Sequence, residues 1–335
     1  MRNYSLFFFP AVGLLAAAAA CGGGNDNLPP NPPPPPLPVE TAEPVPSSTA
    51  SSAPVEPQLP PVSIQSSAPA PDPTAPLPTV KITTPTQKQV VAADKAADFA
   101  VKLDVKNWAT AQGSQHVHLI LDGKPYKAIY DAKVPVKLSE LTNGEPLTEG
   151  QHILVAFPSR PTHESVKSKD ALAIVEFYVG KKGDALQDIK KPMLIYSRPK
   201  GEYKGEMGNH ILVDFQLANA KLEEGKDTVK ITVTGPGIDK ELTAKSEKFG
   251  TPFFIDEVRN GEYSVKLELV GADGKTLPGS WNTTTRTFKV DKNAPADPMP
   301  HPMGDVKSDA TDAGAPKTDA GKAPAAKPAD KPAKK

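Results

Sequence analysis

Between about Thr86 and Asp291 apolar residues recur at every second position in short runs, and turn residues separate the runs. A period of two is that of a strand with one buried face, and amphipathic helical periodicity is nearly absent. The later runs read KPMLIYS, HILVDFQLANA, DTVKITVTG, KELTAKSEKF, TPFFIDEV, GEYSVKLELVG and TTRTFKV. The earlier ones read DFAVKLDVKNW, QHVHLILDG, KPYKAIYD, VPVKLSEL, GQHILVAFPS and ALAIVEFYVG. Each set has the strand count of a small sandwich domain. The chain is therefore expected to be all-β, with two tandem immunoglobulin-like or fibronectin-type β-sandwiches over residues 86–182 and 183–291.

The two halves also match in detail. SELTNGEPLTEGQHILVAF lines up with DEVRNGEYSVKLELV if the first copy carries a short insertion. Ser-Arg-Pro occurs at Ser159–Pro161 and again at Ser197–Pro199. In sandwich domains a tyrosine after the glycine that opens the sixth strand ties the preceding loop to the backbone. Tyr263 holds that place in the second copy and His152 in the first, so His152 is assigned a structural role. With its own alternation, each copy is expected to fold alone.

The flanks differ in composition. Residues 1–20 carry one arginine, an apolar run and small residues, the marks of an export signal. Cys21, the only cysteine in the chain, follows Ala18-Ala19-Ala20. The arrangement resembles a bacterial lipoprotein signal, which implies an acylated Cys21 and a lipid anchor in a membrane. Gly22 next to it, where inner-membrane lipoproteins tend to carry aspartate, implies the outer membrane. Residues 21–85, with Pro32 through Pro36 in a row, read as a disordered proline-rich tether. Residues 292–335 read as a disordered lysine, alanine, proline and aspartate tail. Lys plus Arg and Asp plus Glu balance at 39 each, which excludes the basic footprint of a nucleic-acid binder.

Four of the six histidines, His116, His118, His152 and His163, fall close together. On the strand HVHLIL, Val117, Leu119 and Leu121 share the core face, and His116, His118 and Ile120 share the outer one. The sixth strand, running antiparallel beside it, puts His152 about 13–20 Å from His116 at ~3.3 Å per residue. The loop after that strand returns His163 and Glu164 to the His116 end. His116, His118, His163 and Glu164 are thus the candidate ligands for copper or zinc. The alternative is a solvent face that happens to carry histidine and needs no cofactor.

HVHLILDG, GQHILVAF and SRPTHES together resemble a set of uncharacterised exported bacterial lipoproteins with the pattern His-x-His-x-x-Leu-Asp, Gly-x-His and Ser-Arg-Pro-x-His-Glu-Ser. The resemblance covers most of residues 99–290 and implies the tandem sandwich architecture. It implies no activity. In that set an aromatic often precedes the loop histidine; here Thr162 stands there.

Apolarity on both faces of LIL, ILVAF and ALAIV predicts an outer patch of Ile120, Leu154, Leu172 and Ile174, either a contact surface or the seat of the second domain. No nucleophile elbow, phosphate-binding glycine loop, HExxH or paired-cysteine motif is present. The expected role is a non-catalytic envelope module, binding or structural, whose partner is an envelope protein or a polysaccharide. The alternative is a periplasmic copper or zinc binder.

Overall fold

The structure, a computed structural model, describes residues 59–183 and 185–295. The signal segment, Cys21, most of the proline-rich stretch and the lysine-rich tail lie outside them. No helix among the described residues is long and apolar enough to cross a membrane.

The chain forms two β-sandwiches with matching topology. In the first, β2 (Thr79–Thr84), β4 (Ala100–Lys106) and β7 (Val136–Lys137) make one sheet. The other runs β3 (Val90–Val91), β9 (Ala173–Val179), β8 (Gly150–Ser159), β5 (His116–Leu121), β6 (Lys127–Ile129). In the second, β10 (Met193–Arg198), β12 (His210–Ala218) and β15 (Phe253–Asp256) face a sheet ordered β11 (Gly201–Lys204), β17 (Thr283–Asp291), β16 (Gly261–Val270), β13 (Thr228–Thr234), β14 (Leu242–Ser246). Every strand of the first sandwich has its counterpart eight strands later. The correspondence includes the parallel pairings β3 with β9 and β11 with β17. The first copy's insertion before β8 holds a single helical turn, Leu138–Leu141.

Two boundaries move. Ordered structure starts upstream of 85: β2 belongs to the first sandwich, with Val80 and Ile82 in its core. Further upstream still, β1 (Ser63–Ser66) pairs antiparallel with β15 and so adds an edge strand to the second sandwich. The prolines around these segments interrupt them without forbidding pairing, because both β1 and β2 lie at sheet edges, where proline is tolerated. The Ser-Arg-Pro match is not a repeat. Ser197 ends β10, whose counterpart is β2, whereas Ser159 ends β8.

Each sandwich has its own core. Val117, Leu119, Leu121, Leu154 and Phe177 fill the first; Ile211, Val229, Ile231, Val265 and Phe288 fill the second. A third apolar cluster lies between them. Ile120, Ile153, Val155 and Phe157 of the first pack against Met193, Ile195 and Trp281 of the second, with Leu172 and Ile174 at its margin. The apolar outer face predicted from sequence is therefore covered by the second domain, and is not a surface for an outside partner. Leu154 is a correction. It pairs with Leu121 and so shares the core face; Ile153 and Val155 take the outer one.

Polar contacts reinforce this junction. Arg286 donates from Nη2 to the carbonyls of Gly123 at 2.8 Å and Lys124 at 3.0 Å. Its guanidinium stacks on Tyr196, 4.4 Å from the ring centroid. Burial pushes the Arg286 pKa down to about 10, so it stays charged at neutral pH.

Candidate metal centre

β5 and β8 pair with His116 opposite Ser159 and Leu121 opposite Leu154. This register sends His116 and His118 out of the first core, at the end of β5 where β8 finishes. Beyond Ser159 the chain turns tightly. The His163 amide donates to the Arg160 carbonyl at 2.9 Å, and Ser159 bridges to Ser165. His163 sits in the turn with φ of 65°, a left-handed conformation that is uncommon outside glycine. The turn folds its ring back onto β5.

The loop is fixed from the other domain. The Ser165 hydroxyl donates to Asp214 Oδ2 at 2.7 Å, and Lys167 Nζ pairs with Asp214 Oδ1 at 2.7 Å. The Lys167 ammonium also reaches the Ser165 hydroxyl. Gln216 Nε2 donates to the Val166 carbonyl at 2.8 Å. Asp214 and Gln216 stand on β12, so the second sandwich positions the loop that carries His163.

Three ring nitrogens converge. His116 Nε2 lies 3.0 Å from His118 Nε2 and 2.9 Å from His163 Nδ1, and the last two are 3.4 Å apart. Nitrogens bound to one tetrahedral ion at ~2.0–2.1 Å would be spaced by about 3.3–3.4 Å. The trio thus fits a transition metal after two separations widen by a few tenths of an ångström. Relative exposures are 1% for His116, 0% for His118 and 1% for His163, so the expected solvent face is instead a closed pocket. The His163 loop and the aromatic rings close it from the first domain, and Ser197 of the docked second domain, which a one-domain reading of strand parity does not contain, closes it beside His118.

The far nitrogens of His116 and His118 are anchored as metal-binding imidazoles require. His116 Nδ1 lies 2.8 Å from the Ser114 carbonyl, which accepts from an N–H and leaves Nε2 as the lone-pair donor. His118 Nδ1 lies 3.2 Å from the Ser197 hydroxyl, on β10 of the second sandwich. Aromatic rings wall the pocket. Tyr126 stacks on His118 at 3.4 Å between centroids and 11° between planes, Phe157 meets His118 edge-on, and Tyr130 tilts against His116. Sequence reasoning found the three histidines but missed Tyr126 and Ser197. The signal for Tyr126 was its position shortly after the Asp122-Gly123 turn, which folds the chain back over β5.

Glu164 does not join them. Its carboxylate accepts from the Ala70 amide at 3.1 Å, and burial pushes its pKa up. Neighbouring side chains on this turn diverge, and the upstream segment takes Glu164. His152 stays apart as expected. Its Nδ1 lies 2.7 Å from Asp122 Oδ2 and its Nε2 lies 2.8 Å from the Thr148 carbonyl, four residues back. Tyr263 does the corresponding work in the second copy: its hydroxyl accepts from the Arg259 amide, also four residues back, at 2.6 Å, and donates to the Pro236 carbonyl at 2.7 Å. Burial pulls the His152 pKa down, but hydrogen bonding and charge from Asp122, with the Thr148 carbonyl, outweigh it and hold it above the ordinary value.

No protein-family model and no curated protein matches the chain. Solved structures similar to it include fibronectin(III)-like modules of CbhA from Clostridium thermocellum, at 14% identity and TM-score 0.22, covering 64% of this chain and 94% of that one. Domains FN1–FN3 of chicken CNTN1 match at 8% identity and TM-score 0.19, over 63% of this chain and 65% of that one. The chicken interferon gamma receptor alpha chain matches at 13% identity and TM-score 0.22, over 65% and 100%. At these scores the fold assignment rests on the strand order itself: paired sheets, Greek-key order and a tyrosine corner make both domains fibronectin- or immunoglobulin-like sandwiches.

Proposed function

We propose that this chain is a non-catalytic metal-binding lipoprotein of the bacterial cell envelope, held to the outer membrane through Cys21 and carrying copper or zinc at His116, His118 and His163. The observation that supports it is the convergence of three buried imidazole nitrogens within 3.4 Å of one another. A closed pocket would otherwise favour apolar side chains; three imidazoles crowded there gain most from a shared cation. The apolar run ending at Cys21 supports the anchor, and the chain's resemblance to exported lipoproteins supports the compartment.

The metal reading is tested by calorimetric titration of the full chain with Cu(II) and Zn(II). One ion per chain is expected. His116→Gln, His118→Gln and His163→Gln should each abolish tight binding, and His152→Gln should preserve it. Circular dichroism confirms that each variant remains folded. Tight binding that survives the triple glutamine variant would refute the site.

A further inference from the structure

The three histidines supply nitrogen only, and a tetrahedral site has a fourth corner. We propose that the Tyr126 phenol oxygen fills it, so that the site is a three-histidine, one-phenolate centre able to take Cu(II). This rests on the three-histidine reading above. Tyr126 Oη lies 3.3 Å from His163 Nδ1, inside the 2.9–3.4 Å range that separates the nitrogens from one another. The phenol oxygen thus stands no farther from His163 than the nitrogens stand from one another. The Tyr126 ring is fixed by its face-to-face stack on His118 and is itself buried. Metal entry would displace one proton, from the phenol O–H to solvent, and form one copper–oxygen bond.

Two cations face the same ring. The Lys200 ammonium lies 4.2 Å and the Arg198 guanidinium 5.6 Å from the centre of the Tyr126 ring. Both are positive, and Arg198 is almost fully buried. A phenolate partly neutralises the dication and places negative charge on the ring that both cations face. The ligand set bears on the metal's oxidation state. Imidazole with a hard oxygen suits Cu(II), whereas Cu(I) prefers sulfur, and for a given nitrogen and oxygen set Cu(II) binds above Zn(II).

The test is visible absorption of the full chain loaded with Cu(II). The wild type should show a phenolate-to-copper charge-transfer band. Tyr126→Phe, a change that keeps the ring and its stack, should lose the band and bind Cu(II) about ten- to a hundredfold more weakly. Its Zn(II) affinity should fall less. Tyr130→Phe should keep the band. Copper binding by the wild type with no such band, or with a band that Tyr126→Phe retains, overturns the phenolate ligand and leaves the three-histidine site standing. Failure of the wild type to bind copper overturns the phenolate centre, and failure to bind either copper or zinc overturns the three-histidine site as well.

Discussion

Separating the sandwiches should unfold the first. A fragment of residues 79–183 keeps β2 to β9 but bares Ile120, Ile153, Val155 and Phe157, each at most 2% exposed in the intact chain. Full burial of such a side chain is worth ~1.5–3 kcal/mol, so the four together represent about 6–12 kcal/mol at most. A typical domain has only about 5–15 kcal/mol of total stability. The fragment also loses Arg286 from the Gly123 and Lys124 carbonyls and the Asp214 clamp from the His163 loop. It should therefore associate or remain loosely folded, although its strand pattern alone predicts an independent domain. Urea denaturation followed by circular dichroism, with size-exclusion chromatography, reads the difference: the full chain should melt in one cooperative step and the fragment should not. A monodisperse fragment with a sharp transition at the full-chain midpoint would refute the argument.

His152→Ala should cost about 2 kcal/mol in chemical denaturation through loss of the Asp122 and Thr148 contacts, while leaving metal binding intact. The same pair predicts a pH dependence. Because the folded pKa of His152 is raised, its stabilisation is fully present below the unfolded value near 6.5 and is lost as pH rises through the folded value. The stability gap between wild type and His152→Gln should accordingly shrink on going from pH 6 to mildly alkaline pH. Asp214→Ala strands the Lys167 ammonium and should destabilise by about 3 kcal/mol; it should also weaken metal binding by about tenfold or more, because it frees the loop that carries His163. Cys21→Ser should move the protein from the detergent phase to the aqueous phase on phase partitioning; unchanged partitioning would place the anchor elsewhere.

What could be read from sequence followed how local each feature is. The alternation of β13 and β16 follows from strand period, and the placement of β5 antiparallel beside β8 from sandwich strand order; one turn after β8 then brings His163 back to His116. The corner roles of Tyr263 and His152 depend on one glycine and one short loop each. β1, β3 and β11 are two to four residues long, too short for a period to emerge. The diversion of Glu164 depends on Ala70, 94 residues away. The burial of His118 depends in part on a second domain docked over a face that a single sandwich leaves in water.

The two copies differ where the docked face and the histidine pocket lie. By strand pairing, Val117, Leu119 and Leu121 of the first copy correspond to Val229, Ile231 and Val233 of the second, and both sets are core. The outward positions between them have diverged. His118 and Ile120 stand where the second copy has Lys230 and Thr232, and Val155 and Phe157 stand where it has Lys266 and Glu268. The second copy remains a sheet with a watered outer face, where Lys266 pairs with Glu268 at 2.8 Å. The first has exchanged that face for an apolar seat with histidines at its rim. Burying imidazoles without a cation or full hydrogen bonding is costly, so the substitutions at 116 and 118 are favourable only once Ser197 and the Asp214-held loop close the pocket. The centre therefore belongs to the pair of domains: His116 and His118 come from one repeat, and the groups that orient His118 and the His163 loop come from the other.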